Sequence, residues 1–336
     1  PLLMYNVVAT PPITASNVTG SVFLYGQPQK GSSLDPALKM VLTGVNVFDG
    51  SKWHVSFGRT RNDFNNSVAT SSGTTALELG LISYGVMPND LVMIPSYTFI
   101  ATANAISHIG ASPWLINIDK NFLTLDPIAL LKELKENTYK KSGYSYHKKT
   151  DQKISCIVPV HVLGHPADLD KIKLIADEFS IPVLQDSACG IGSKYKDKKL
   201  GENNISGIIS FNGNKTITTG AGGIFYSEDE EKIKLVKHLS STAKCSGNYD
   251  HDMVGFNYRM SNIQAALGLA QLEQLKIIIE EKRIIHEEYK KYFSNIKGFR
   301  LIESPDWSYS TYWINAIILE NEQDSEKLLD TLNQAK

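Results

Sequence analysis

Between Ser71 and Asp186 the chain alternates between segments of helical spacing and short apolar runs. "GTTALELGLISYG" has helical spacing, "DLVMIPS" is apolar, "FIATANAISHIG" is helical up to Gly110, and "SPWLINID" is apolar again. "LDPIALLKELKEN" opens on Asp126 and Pro127, a cap followed by a proline suited to the first helical position. "ISCIVPV", "ADLDKIKLIADEF" and "IPVLQD" continue the alternation, and "ISGIISF" and "GGIFYS" add two more apolar runs. Strands that alternate with helices predict a mostly parallel sheet covered by helices on both faces.

This pattern occupies only part of the 336 residues, which suffice for one large α/β domain and a smaller second one. Residues 1–65 are rich in Gly, Pro, Asn and Ser and read as an irregular arm with one short helix near "LDPALKMVL". Residues 66–260 form the large domain. "KKSGYSYHKKTDQK" (140–153), polar and basic, reads as a solvated insertion before a strand. Residues 261–336 comprise a long helix from about Ser261 to about Phe293 and a small domain with strands in "FRLIES" and "YWINAIIL". The chain stops inside another helical segment, "DSEKLLDTLNQAK", so the small domain is expected to be truncated.

A formal net charge of −1 gives no global attraction to nucleic acid or an anionic membrane. No apolar run approaches the ~20 residues of a membrane span, and the first residues lack the charged and apolar regions of a signal peptide. Cys156, Cys189 and Cys245 are scattered and odd in number. They suit neither a disulfide framework nor a zinc site, so the expected compartment is the cytoplasm.

Ligands of α/β sheets bind at the carboxyl ends of strands, and several unusual residues fall there. Ser72, Gly73 and Thr74 stand at a helix start, where they read either as a plain N-cap or as a cup for an anion such as phosphate. Asp186 follows an apolar strand and reads as a turn residue or as a carboxylate for a protonated ligand nitrogen. Phe99, after another strand, is either core or a surface for a flat ring. In "SFNGNKTITTGAGG" (210–223), Lys215 lies among hydroxyl, amide and glycine residues with no acid beside it in sequence. It is a solvated surface charge or an amine that reacts with a carbonyl. "GAGG" lacks nucleotide-loop spacing and leads into a strand, so it is not read as one. Together, an anion cup, an aromatic, a strand-end Asp and a loop Lys are the parts that hold pyridoxal phosphate (PLP). His161 and His165 lack a cluster of further ligands at metal spacing, so no metal is expected, and His161 is placed in the cofactor pocket.

From about Val68 onward the sequence resembles the DegT/DnrJ/EryC1/StrS family of PLP-dependent sugar aminotransferases. The resemblance rests on "SGTTALELGL", "IPSYTFIATANAI", "VPVHVLGHPADLD", "QDSACGIGSKY", "SFNGNKTITTGAGG" and "VGFNYRMSNIQAALGLAQLEQL" in that order. It implies the α/β fold of type I PLP-dependent transferases, similar to aspartate aminotransferase: a large, mostly parallel sheet domain and a smaller C-terminal α/β domain. It implies that Lys215 carries the cofactor aldehyde and acts as the catalytic base. By the same resemblance Asp186 partners the pyridine nitrogen, Phe99 stacks on the ring, and Gly73, Thr74 and Ser210 bind the phosphate. Asn257 then reaches the cofactor phosphate of a neighbouring subunit, which implies a homodimer with shared active sites. Lys215 also sets the chain apart from relatives that carry histidine there and act as dehydratases. Cys189 stands where relatives commonly present a polar residue to the cofactor's hydroxyl side, and Ala221 stands where they commonly carry Glu. The implied activity is transfer of an amino group from L-glutamate to a nucleotide-linked 4-keto-6-deoxy sugar for surface polysaccharide. The segment from residue 140 to residue 170 resembles the subgroup that acts on UDP-linked N-acetylhexosamines. A GDP- or dTDP-linked keto sugar, or PLP binding without turnover, are the alternatives.

Overall fold

The computed structural model describes residues 45–48, 53–56, 66–245, 249–320 and 324–334. The helix expected near residues 34–42 lies outside them. Of the N-terminal arm, β1 (Val45–Phe48) pairs antiparallel with β2 (Trp53–Ser56).

The expected alternation runs through β3 (Ser67–Thr70), α1 (Gly73–Ser83), β4 (Leu91–Pro95), α2 (Ile100–His108), β5 (Ser112–Ile116) and α3 (Pro127–Asn137). Helix α3 starts where Asp126 and Pro127 place it: the Asp126 carboxylate accepts from the Ile128 N–H at 2.8 Å. Residues 140–153, read as a solvated insertion before a strand, are largely exposed and precede the strand that starts at Ile154, and they contribute most of an antiparallel hairpin, β6 (Thr138–Lys141) and β7 (Tyr144–His147). Ser142 and Gly143 turn it with positive φ (51° and 83°), the geometry of a tight hairpin turn. The amines of Lys141 and Lys153 lie over the rings of Tyr146 and Tyr144, so basic residues that suggested solvation flank an aromatic hairpin.

The chain continues through β8 (Ile154–Ile157), α4 (Leu169–Glu178), β9 (Gln185–Asp186), the hairpin β10 (Lys194–Tyr195) and β11 (Lys198–Lys199), β12 (Gly207–Ser210), β13 (Gly223–Tyr226) and α5 (Glu230–Ser240). A sheet ordered β5-β4-β8 and one ordered β3-β13-β12-β9 are linked by parallel bridges from Ile157 to Val183 and from Val160 to Asp186. Among the described strands of this combined sheet, β13 alone runs against the others. The parallel members therefore aim their carboxyl ends at one edge.

Successive side chains of a strand point to opposite faces, and here each face has its own core. In β4, Val92 and Ile94 pack with α1 and α5, whereas Leu91 and Met93 pack with α3 and α4. In β12 and β13, Ile208 and Phe225 join the first of these cores, whereas Ile209 and Ile224 face α6 (Asn262–Phe293). Helix α6 begins with a capping box between Ser261 and Gln264, and it buries Ala265, Leu272, Leu275 and Ile279 on one stripe.

Beyond α6, β14 (Phe299–Leu301) pairs with β16 (Ile317–Leu319), β15 (Ser308–Tyr309) pairs with β10, and α7 (Asp324–Gln334) follows. "YWINAIIL" was expected as one strand, but only Ile317–Leu319 forms it. Tyr312 has φ 46°, and the chain around it turns back to the edge where the parallel strands end.

Phe225 is fully buried between α1 and the sheet. Phe225→Ala is expected to destabilise the chain by about 3–5 kcal/mol through lost burial and the cavity left behind, measured by urea unfolding of the full chain.

Candidate active site

The carboxyl ends of β4, β8, β9 and β12, together with the start of α1, surround one cavity of about 400 Å³. Gly73, Thr74, Phe99, Asp186, Cys189, Ser210 and Lys215 all line it. Asn257 does not; it is exposed, and its backbone bridges to Ser241.

The Ser72 hydroxyl accepts from the Thr75 N–H at 3.1 Å, and the Thr75 hydroxyl accepts from the Ser72 N–H at 3.1 Å. That capping box leaves the N–H groups of Gly73 and Thr74 without intrahelical acceptors and at the positive end of the helix dipole. A Cβ on Gly73 would lie 2.7 Å from Ser210 Cβ and 3.0 Å from Ser210 Oγ, so only glycine lets the end of β12 press against the helix start. The same approach sets a hydroxyl beside free backbone donors, a donor set suited to a phosphate.

Asp186 is buried. Its Oδ2 accepts from Thr102 Oγ1 at 2.8 Å and its Oδ1 from the Ala188 N–H at 3.1 Å. Burial raises the carboxyl above its usual range, and these two donors and the Lys215 charge act in the opposite direction. A buried carboxylate with little water is completed by a cation, and a protonated pyridine nitrogen is one. Thr102 was not among the expected residues. Its signal was a hydroxyl on the buried stripe of α2 that also carries Ala105 and Ile106.

Lys215 Nζ donates to Cys189 Sγ at 3.2 Å and lies 4.0 Å from the centre of the Trp313 ring. Burial pushes the Cys189 thiol up to about 11, so the sulfur is neutral near pH 7. Phe99, 67% exposed, stands at the rim on the residue that precedes α2. Trp313 closes the cavity from the C-terminal segment, and its indole N–H donates to the Asn214 carbonyl at 2.7 Å. Nothing in the local spacing of residues 308–315 marked it as a cavity residue. Ala221 is exposed, and its carbonyl accepts from Gln264 Nε2 at 2.9 Å, which ties the loop after Lys215 to the first turn of α6.

His161 was expected to line the pocket. It lies instead fully buried behind Val160 and Val162, which do line it. His161 Nδ1 accepts from the Ala167 N–H and Nε2–H donates to Gln185 Oε1, both at 3.0 Å, so both ring nitrogens are used. Among the described residues no group of three or more His, Cys, Asp or Glu could hold a metal ion. An amine, a buried carboxyl, a hydroxyl and free helix N–H groups around one cavity fit PLP, because each can meet a different part of that molecule.

Residues 59–336 match the sequence profile of the DegT/DnrJ/EryC1/StrS aminotransferase family. A GDP-perosamine synthase of Escherichia coli O157:H7 is 34% identical over 88% of this chain and 81% of its own length. The crystal structure of a DegT DnrJ EryC1 StrS aminotransferase from Brucella abortus superposes with a TM-score of 0.71 at 25% identity, covering 80% of this chain and 69% of that one. NtdA from Bacillus subtilis, solved with the cofactor PMP bound, superposes with a TM-score of 0.68 at 25% identity, over 80% of this chain and 58% of its own.

Gly73→Ala forces Ser210 away from the helix start; loss of a hydrogen bond to a charged group, about 1.5–3 kcal/mol, is expected to raise the PLP dissociation constant roughly 10- to 150-fold, read by cofactor titration. Burial lowers His161 to about 4. Its unfolded imidazole binds a proton below the ordinary 6.5, which the folded chain withholds. The stabilisation is therefore present above pH 6.5 and lost as pH falls toward 4, by about 3 kcal/mol at most. Urea midpoints across this window should fall more steeply for the wild type than for His161→Asn.

Proposed function

The chain belongs to the DegT/DnrJ/EryC1/StrS aminotransferase family, whose members are PLP-dependent sugar aminotransferases, and from that premise we propose that it moves an amino group from L-glutamate to the keto carbon of a nucleotide-linked 4-keto-6-deoxy sugar. The observation that carries this reading is Lys215 in one cavity with a buried carboxyl and a helix start.

When bound, PLP supplies an aldehyde carbon that takes up amines and a ring that accepts electrons. Lys215 Nζ would hold that carbon, and as a free amine it would be the base and acid that moves a proton at the substrate carbon. Its partner within hydrogen-bond distance is a neutral thiol, so the amine is not held in a tight ion pair. Asp186, held by Thr102 and the Ala188 N–H, would pair with the ring nitrogen and keep it protonated. The N–H groups of Gly73 and Thr74 and the Ser210 hydroxyl hold the phosphate. Phe99, at the rim, would cover the ring, and Cys189 would stand near the cofactor's hydroxyl.

The nucleotide is the open half of the substrate. The segment that suggested UDP contributes only the apolar Val160, Val162 and Leu163 to the cavity, and its hairpin contributes nothing. The Escherichia coli relative carries the name GDP-perosamine synthase. Similarity to it favours a GDP-linked sugar over the UDP-linked N-acetylhexosamine, and a role in surface polysaccharide suits either.

The enzyme works as a homodimer in this reading. Asn257 is exposed and outside its own cavity, as a residue that completes a neighbouring copy's site would be. Among the described residues no helix is long and apolar enough to cross a membrane, and the cytoplasm is the proposed location.

Lys215→Ala should abolish covalent attachment of PLP and lower kcat by at least about a thousand-fold. Turnover at the wild-type rate would sink the assignment. Incubation of the enzyme and glutamate with GDP-, UDP- and dTDP-linked 4-keto-6-deoxy sugars should yield amino sugar fastest from the GDP series, followed by mass spectrometry. Light scattering of wild type, with mixing of Lys215→Ala and Asn257→Ala chains, tests the shared site: partial recovery of activity in the mixture is expected.

A further inference from the structure

Trp313 reaches the cavity from a part of the chain that local sequence does not connect with it, and several side chains hold its segment there. Its ring centre lies 4.0 Å from Lys215 Nζ, and its indole N–H is committed to the carbonyl of Asn214, the residue before that lysine. Ring and lysine are thus registered to each other at two points. The main chain on either side of the ring is gripped by α6. Lys282 Nζ donates to the Trp313 carbonyl at 3.1 Å, and Arg283 donates to the Ser310 carbonyl at 2.6 Å while lying over the Tyr309 ring. His286 stacks on Tyr312 with ring centres 3.5 Å apart, and its Nδ1 meets Asn315 Oδ1 at 2.7 Å.

These contacts come from successive turns of one face of α6, the helix whose other contacts bury it against β12 and β13. Burial lowers the Lys282 amine below its usual range, which marks it as a cation kept partly out of water. A cation is attracted to the face of an indole, most strongly where water is scarce. An amine that must alternate between bound and free states during turnover needs a defined place when free.

We propose that Trp313 is a positioning residue for Lys215, whose amine it receives on its indole face, and that α6 holds this face in place chiefly through Lys282. This rests on the reading of Lys215 as the reactive amine. The ring fixes the position of the amine, so a free lysine returns to the same place beside the substrate carbon.

The test uses the cofactor-free full chain and an amine-directed acylating reagent. Modification of Lys215 is followed by mass spectrometry of the peptide that carries it, with the exposed Lys234 as internal reference. Trp313→Leu retains bulk without an aromatic face and should speed modification of Lys215 about 3- to 30-fold, the range of a cation–π contact. Trp313→Phe retains a face and should stay within about two-fold of wild type by the same reasoning. Lys282→Met, outside the cavity, should raise the rate in the same direction by a smaller factor, and it carries the test alone if Trp313→Leu does not fold. Equal rates in the Leu and Phe variants, or no rise in Lys282→Met, overturn the proposal. Borohydride reduction of the PLP-loaded wild type separates the two readings. Cofactor fixed on the Lys215 peptide upholds Lys215 whatever the Trp313 variants do, and cofactor fixed elsewhere removes the premise.

Discussion

Parallel strands cannot be joined by short turns, so each must be followed by a crossover that lies on one face of the sheet or the other. That constraint leaves the strands of this chain dry on both sides. It explains why β4 reads as an unbroken apolar run although its residues serve two different cores. It also forces the loops after β4, β8, β9 and β12 to emerge at one edge, and polar residues that would be intolerable within the sheet are concentrated there. The cavity is a consequence of the topology before it is a consequence of any single residue.

What the edge supplies is a set of groups that water does not fully satisfy. The N–H groups at the start of α1 have no acceptors within the helix, and the Asp186 carboxyl is raised by burial despite its two donors. Each is costly by itself. Together they are complementary to a molecule that is anionic at one end and cationic on its ring. Gly73 links the two, because its missing side chain lets Ser210 and the strand carrying it approach the helix start. The Cys189 thiol extends the same logic: a neutral sulfur near Lys215 leaves the amine close to the Asp186 field without pinning it to a carboxylate.

The C-terminal segment enters this arrangement through α6, through the pairing of β15 with β10, and through loop contacts. Ser310 Oγ donates to the Gly164 carbonyl at 2.9 Å, and the Thr311 N–H donates to Ser193 Oγ, so the turn that carries Trp313 is packed against the loops after β8 and β9. The turn that carries Trp313 thereby becomes a wall of the cavity.

Much of this was legible in the residues themselves. Alternating apolar and helical segments determined a mostly parallel sheet, the Asp126-Pro127 and Ser72 caps set helix starts, and position after a strand singled out Phe99, Asp186 and Lys215, while the family resemblance added Ser210. Those signals are local, arising from backbone hydrogen bonding and side-chain periodicity within a few residues. The hairpin at 138–147 escaped because its β-forming tyrosines are interleaved with lysines, which lowers apparent hydrophobicity without disturbing strand pairing. His161 looked like a cavity residue, but the cavity wall is formed by its neighbours Val160 and Val162, a matter of which way one side chain turns. Trp313 and Thr102 became site residues only on folding. Contacts between elements distant in sequence are selected by packing across the whole sheet, and no local spacing encodes that. The sequence by itself therefore determined the sheet and the order of its chemical groups, whereas the tertiary structure decided which of them share one cavity, because contacts between distant elements are set by packing and not by local spacing.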